Sequence, residues 1–179
     1  LSCGRQGRYI CATCLSKQKV HFPQVCPECE RPSVDGAAHF RCRRKFGLDG
    51  LTAVFLYGGP LRKAIITLKY RFSTDLADEL VEAVSPYLNL RKLALDKKRL
   101  LLPIPLARRR YNWRGFNQSE VLGRLISRKP GWRFQKDLLI RTRSARIQTS
   151  LRSAKERKAN IKGVFSLNRL HQPLAISHQ

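Results

Sequence analysis

Apolar positions along the chain fall into short runs and helical stripes. Residues 52–57 (TAVFLY) form a β-rich apolar run, which predicts a buried strand. After Gly58-Gly59-Pro60, Leu61, Ala64, Ile65 and Leu68 recur at helical spacing, with Arg62, Lys63 and Lys69 off that face. The pattern predicts an amphipathic helix opened by Pro60. Thr74 is placed to cap a second helix, with Asp75, Asp78 and Glu79 near its positive end and Leu76, Leu80, Val84 and Leu88 along one side. Residues 91–99 read as a basic loop or frayed helix end, and 100–105 (LLLPIP) as a buried strand stopped by its prolines. A basic connection, 107–115, leads to a helix over 116–129 with Val121, Leu122, Leu125 and Ile126 inward. Strands are expected at 137–143 and 163–167, on either side of a polar, basic excursion with one helical piece. Alternating strands and helices predict an α/β domain with a mainly parallel sheet. The Gly-rich hinge 47–52 (GLDGLT) sets the expected boundary between a head, residues 1–50, and this domain, residues 51–179.

Charge changes the picture most. The chain has 179 residues, with 36 Lys plus Arg against 12 Asp plus Glu, a formal charge of +24. That excess points to a polyanion, whether nucleic acid, a phosphorylated substrate or an acidic membrane surface; a solvated basic surface is the plainer alternative. A hydrophobic share of 42% is compatible with a buried core. No methionine occurs, so Leu1 is not expected to be the natural start. No stretch resembles a signal peptide and no apolar run approaches the ~20 residues that span a bilayer, so a cytoplasmic chain without membrane insertion is expected. In a reducing cytosol, six cysteines argue for metal ligands over disulfides.

All six cysteines lie in the first 42 residues. Cys11-Ala-Thr-Cys14 and Cys26-Pro-Glu-Cys29 are CxxC turns, a spacing that brings two thiolates to one tetrahedral ion. His39-Phe40-Arg41-Cys42 supplies a second knuckle with imidazole in place of one thiolate. Cys26, Cys29, His39 and Cys42 thus make a complete four-ligand set, expected to hold structural Zn2+. Cys3, Cys11 and Cys14 give three ligands: either an incomplete second site or spectators. His21 has no partner at metal spacing.

The stretch 100–120 carries the other candidate chemistry. In open α/β sheets, ligands bind beyond the carboxyl ends of strands. Here that end leads into Arg108, Arg109, Arg110 and Arg114, with Gly115 allowing a close turn. Asn117, with Glu120 three residues on, is a capping-box-like helix start. Guanidinium groups and helix-start N–H groups both bind phosphate oxygens. The alternative is a solvated basic loop whose Trp113 and Phe116 pack on the sheet.

The order of the knuckles, LYGGPLRKAIITLKYRF, PIPLARRRYNWRGFNQSEVL and RTRSARIQTSLRSAKERKANIKGVF resembles the ComF family over nearly the whole chain. The specific pieces are Leu68-Lys69-Tyr70, Arg114 to Gln118 (RGFNQ), Gln148 to Leu151 (QTSL) and Arg157 to Phe165. The resemblance implies an N-terminal zinc ribbon and a type I phosphoribosyltransferase-like, Rossmann-like domain tied to DNA uptake in competence. Residues 148–165 would cover the active site. Arg108 to Arg114 and Lys69 would bind phosphoribosyl pyrophosphate, with Mg2+ accompanying it in the complete protein. His39 stands where the family has cysteine. The family's paired-Asp, Thr-Thr-Gly phosphate segment is absent after Phe165, where the chain gives LNRLHQPLAISHQ. The expectation is therefore an incomplete transferase, with no nameable catalytic residue and no turnover by this stretch alone. A different reading is a zinc-containing adaptor that binds single-stranded DNA, based on the charge and on Tyr111, Trp113 and Phe116 among arginines. A weaker one is a structural scaffold docking a DNA-uptake helicase.

Overall fold

The computed structural model describes residues 1–71, 73–87, 99–129 and 131–168. Leu88, residues 91–98 and the tail from 169, all read above from sequence, lie outside the described residues. The chain groups into two compact units. One is Leu1–Thr67 with the stretch from Glu82; the other is Leu68–Val81 with the described residues from Arg99 onward.

The first unit is held by turns and isolated backbone bridges rather than by a sheet. The Leu1 ammonium donates to the Tyr9 carbonyl at 2.8 Å. Helix α1, Ala12–Ser16, follows directly from Cys11, whose extended backbone ends the preceding loop. Residues 19–21 pair antiparallel with 54–56: His21 N–H reaches Val54 O at 2.9 Å and Leu56 N–H reaches Lys19 O at 3.0 Å. Gln24 clamps the same segment, accepting from Ala53 N–H and donating to Ala53 O. The run 52–57 is therefore not a buried sheet strand. It makes a single bridge, Val20–Phe55, and Leu56 and Tyr57 are exposed. An apolar β-rich run fixes extended backbone but not its pairing partner.

Helix α2, Gly59–Tyr70, buries Leu61, Ala64 and Leu68 of the predicted face, leaves Ile65 half-buried, and buries Thr67 as well. Helix α3, Leu76–Val84, starts after Thr74, whose carbonyl accepts from Ala77 N–H at 2.8 Å. Leu76, Ala77, Leu80 and Val81 are buried.

In the second unit the strand expected over 100–105 shrinks to β1, Leu100–Leu101. The prolines at 103 and 105 lack the N–H a ladder needs. The basic connection after it is not a loop. It is helix α4, Arg108–Arg114, ended by Gly115 at φ 74°, whose N–H reaches Tyr111 O at 2.7 Å. Helix α5, Gln118–Arg128, then leads to β2, Arg133–Phe134, which pairs parallel with β1. Gly123 makes this approach feasible, because a Cβ there would sit 3.0 Å from the Phe134 ring and 3.6 Å from Leu101.

Strand β3, Leu139–Arg141, pairs antiparallel with β4, Phe165–Leu167. The mainly parallel sheet is thus not what the described residues hold. They contain one parallel pair and one antiparallel pair. The excursion 143–163 explains the second. Arg143 donates to the Lys162 carbonyl. Asn160 accepts from Arg146 N–H at 3.0 Å and donates to Arg146 O at 2.9 Å. Gln148 reaches Arg157 O and Arg157 reaches Leu151 O. With its ends tied together, the excursion must return beside the strand it left. Its helical piece is α6, Ala154–Ile161, capped by Ser153 accepting from Glu156 N–H, while Glu156 accepts from Arg152 N–H.

Asn117 is the joint of the α4–α5 region. Its Oδ1 caps α5 by accepting from Ser119 N–H at 3.0 Å, and its Nδ2 donates to Ile104 O at 2.9 Å. Glu120 does not close a reciprocal box; it turns to Arg124 and Lys136. Asn117→Ala should cost about 1–2 kcal/mol in urea denaturation. Asn117→Asp keeps the cap but sets a carboxylate oxygen against the Ile104 carbonyl in a buried site, so it should not recover the loss.

Candidate metal centres and a guanidinium cluster

Cys26, Cys29, His39 and Cys42 bring their ligand atoms within 4.8 Å of one another, and so do Cys3, Cys11 and Cys14. All six cysteines are free thiols. For an ion bonded to sulfur at about 2.3 Å, as zinc is, tetrahedral edges run about 3.5–3.8 Å. The distances present match: Cys29 Sγ to His39 Nδ1 is 3.4 Å, and Cys3 Sγ to Cys11 Sγ is 3.5 Å. Both clusters could therefore hold a metal ion. His21, as its spacing suggested, joins neither.

Local backbone explains the convergence at the second cluster. Cys26 N–H donates to Arg31 O and Glu30 N–H to Cys26 O, both at 2.9 Å, and the Val25–Pro32 bridge closes the turn. Glu30 takes a left-handed φ of 59° to complete it. On the other side, Gly36, at φ 76°, lies so close to Leu51 that a Cβ would fall 2.0 Å from its carbonyl oxygen. Ala38 N–H to Asp49 O, at 2.8 Å, then sets the entry to His39. Imidazole is well prepared as a ligand. Its Nε2 lies 3.1 Å from the Pro32 carbonyl, which can only accept, so Nε2 carries the hydrogen and Nδ1 presents a lone pair to the thiols.

The metal-free thiols divide their protons unequally. Burial pushes Cys26 up, but N–H groups of His39, Cys29 and Glu28 outweigh it and bring the thiol down to about 6. Cys42, hydrogen-bonded to Cys29 and partly desolvated, is pushed up to about 11. In the first cluster the Arg5 N–H and the other two thiols lower Cys3 to about 7, while Cys14 is raised by its bonds to Cys3 and Cys11.

The predicted phosphate-binding arginines are not all brought together. Consecutive residues on a helix point about 100° apart, and Arg108, Arg109 and Arg110 are all exposed. Arg110 and Arg114 share a face of α4. Arg114 is only 5% exposed; it donates to Gln118 Oε1 at 2.5 Å and lies 5.3 Å from the Tyr70 ring centre. Its Nε is buried without a partner, and among the described residues no carboxylate pairs with it. Arg141 was not singled out from sequence. Its guanidinium lies over the Phe165 ring at 5.5 Å. Burial, then Arg110 and Arg143, lower its pKa; burial and Arg110 also lower that of Arg114, against Tyr70. Alternate arginines flanking a strand end, Arg141 and Arg143, were the signal available. Lys69 is half-buried in the last turn of α2. Of the other motif residues, Gln148, Arg157 and Asn160 spend their polar atoms tying the excursion, though Gln148 Oε1 stays buried and unpaired.

His39→Ala should lower the metal content of the 26–42 cluster by elemental analysis and leave that of Cys3, Cys11 and Cys14 unchanged. An ion must displace the Cys42 proton at neutral pH, so its apparent affinity should fall at least about tenfold per pH unit lowered near pH 7. Below about pH 6, where Cys26 also gains a proton, the fall should steepen; a chelator competition series across pH measures it.

Comparison with known proteins places these features. No family model matches the chain and no solved structure matches it. It is 31% identical over 164 residues to DNA utilization protein YhgH of Escherichia coli, covering 88% of this chain and 70% of that protein. The YhgH of Salmonella typhimurium is 29% identical over the same length. Competence protein ComFC of Bacillus subtilis is 29% identical over 129 residues, 66% of this chain and 52% of that protein. With the paired cysteine knuckles and the RGFNQ helix start in place, this similarity shows that the chain belongs to the ComF family.

Proposed function

We propose that the chain binds phosphoribosyl pyrophosphate, or a related phosphate, at the cluster of Arg110, Arg114 and Arg141, and that it acts in DNA uptake. Its relatives carry names from competence and DNA utilization, which supports the second half of this reading. The observation that carries the first half is Arg114. A guanidinium 5% exposed, with an orphaned Nε, no carboxylate partner among the described residues and a like charge at Arg110, is costly unless an oxyanion compensates it. The family resemblance extends this to a phosphoribosyltransferase-like domain behind a zinc ribbon. Four protein ligands leave no coordination position open, so zinc at Cys26, Cys29, His39 and Cys42 serves structure and supplies folding energy to the head. Mg2+ would arrive with the pyrophosphate oxygens.

A second reading, contact with single-stranded DNA, is favoured by one observation. Tyr70 and Trp113 pair at 5.9 Å with both rings exposed, and Tyr111 is exposed beside Arg108 and Arg109. Stacking faces beside cations suit a single strand.

Titration calorimetry with phosphoribosyl pyrophosphate and Mg2+ tests the first reading. Arg110→Ala and Arg141→Ala should each weaken binding about tenfold, the scale of one charge-assisted bond. Equal binding by both variants, or none by the unaltered protein at millimolar ligand, would sink it.

A further inference from the structure

We infer that residues 40–46, on the outer side of the second knuckle, form a docking surface for single-stranded nucleic acid. For its ligand class the inference rests on the second reading above, but it assigns a site made of different residues. The segment runs Phe40-Arg41-Cys42-Arg43-Arg44-Lys45-Phe46. Phe46 is 94% exposed and Phe40 89%, more than the other large apolar side chains described. Four cations lie between them, and the segment has no acid of its own. Glu28 lies 3.8 Å from Arg44 Nε, and the Arg44 side chain still stands 76% exposed.

These rings are not on slack chain. Phe40–Cys42 is a tight turn, with Cys42 N–H donating to His39 O at 2.8 Å. Gly47 N–H donates to Arg44 O at 3.0 Å and closes the next turn. His39 and Cys42 themselves converge with Cys26 and Cys29. The cluster thus pins this backbone from behind while its phenyl rings face water. A small head that needs apolar burial has left its largest apolar groups outside.

The mixture of ring faces and cations decides what occupant fits. A single strand repeats phosphate and unstacked base, and here two ring faces bracket four cations over at most about 20 Å of chain. Lys45 Nζ lies 5.7 Å from the Phe46 ring centre, so a ring stacked on a base keeps an ammonium near the adjoining phosphate. A duplex hides its base faces and would use only the cations.

The test uses the zinc-loaded full chain and a fluorescent 20-nucleotide oligothymidylate, read by anisotropy. F40A/F46A should weaken binding at least tenfold with zinc content and phosphoribosyl pyrophosphate binding unchanged. R43Q/R44Q should lower the salt slope of log affinity by about 1.4, two cations at about 0.7 each. Should F40A/F46A lose its zinc, F40L/F46L decides instead, since leucine keeps apolar bulk without a stacking face. If these variants bind like the parent while Y111A/W113A does not, the nucleic-acid reading stands and this surface is overturned. If the parent does not bind the oligonucleotide, both fall. The surface is equally overturned if the phenylalanine changes act on a dimer, or on binding to anionic phospholipid vesicles, and not on the oligonucleotide.

Discussion

The amino-terminal unit depends on one constraint: four ligand atoms from two separate turns meet in a space a few ångströms across. Thiolates brought together repel, and each protonated thiol resists ionisation by its neighbours. That is why Cys42 is raised, while Cys26, which faces backbone N–H groups, is lowered. The backbone prepares for the conflict. N–H groups face Cys26, the Pro32 carbonyl sets the imidazole tautomer, and Gly36 gives up a side chain so that the second knuckle can lie against Leu51. With little apolar burial available, a head of this size gains most from a bond network that an ion completes.

The second unit is governed by a different conflict, among like charges. Arg114 is drawn inside by Gln118 and the Tyr70 face, and Asn117 next to Gln118 ties the start of α5 to Ile104 beyond β1. The RGFNQ motif is thus a structural joint. The later motif behaves similarly, with Asn160 and Arg157 closing an excursion that then returns antiparallel. A short motif can hold a loop's shape and still border a ligand, and here its polar atoms are largely spent on the shape.

Much of this was legible in the residues. Helical spacing located α2, α3 and α5, because a helix facing a core imposes its period on the sequence. The knuckles were legible because metal-ligand spacing is local. What failed was non-local. The run 52–57 pairs with 19–21, β1 pairs with β2 over only two residues, and β3 pairs with β4 antiparallel.

By itself the sequence determined the helical faces, the ligand spacing and the excess of positive charge, since each depends on residues a few positions apart. Only the tertiary structure decided that Cys3 lies with Cys11 and Cys14, that Arg141 comes near Arg110, and that Phe40 and Phe46 stand in water. Those outcomes depend on where distant segments meet, and loop closure leaves that choice to packing and backbone pairing across the whole chain.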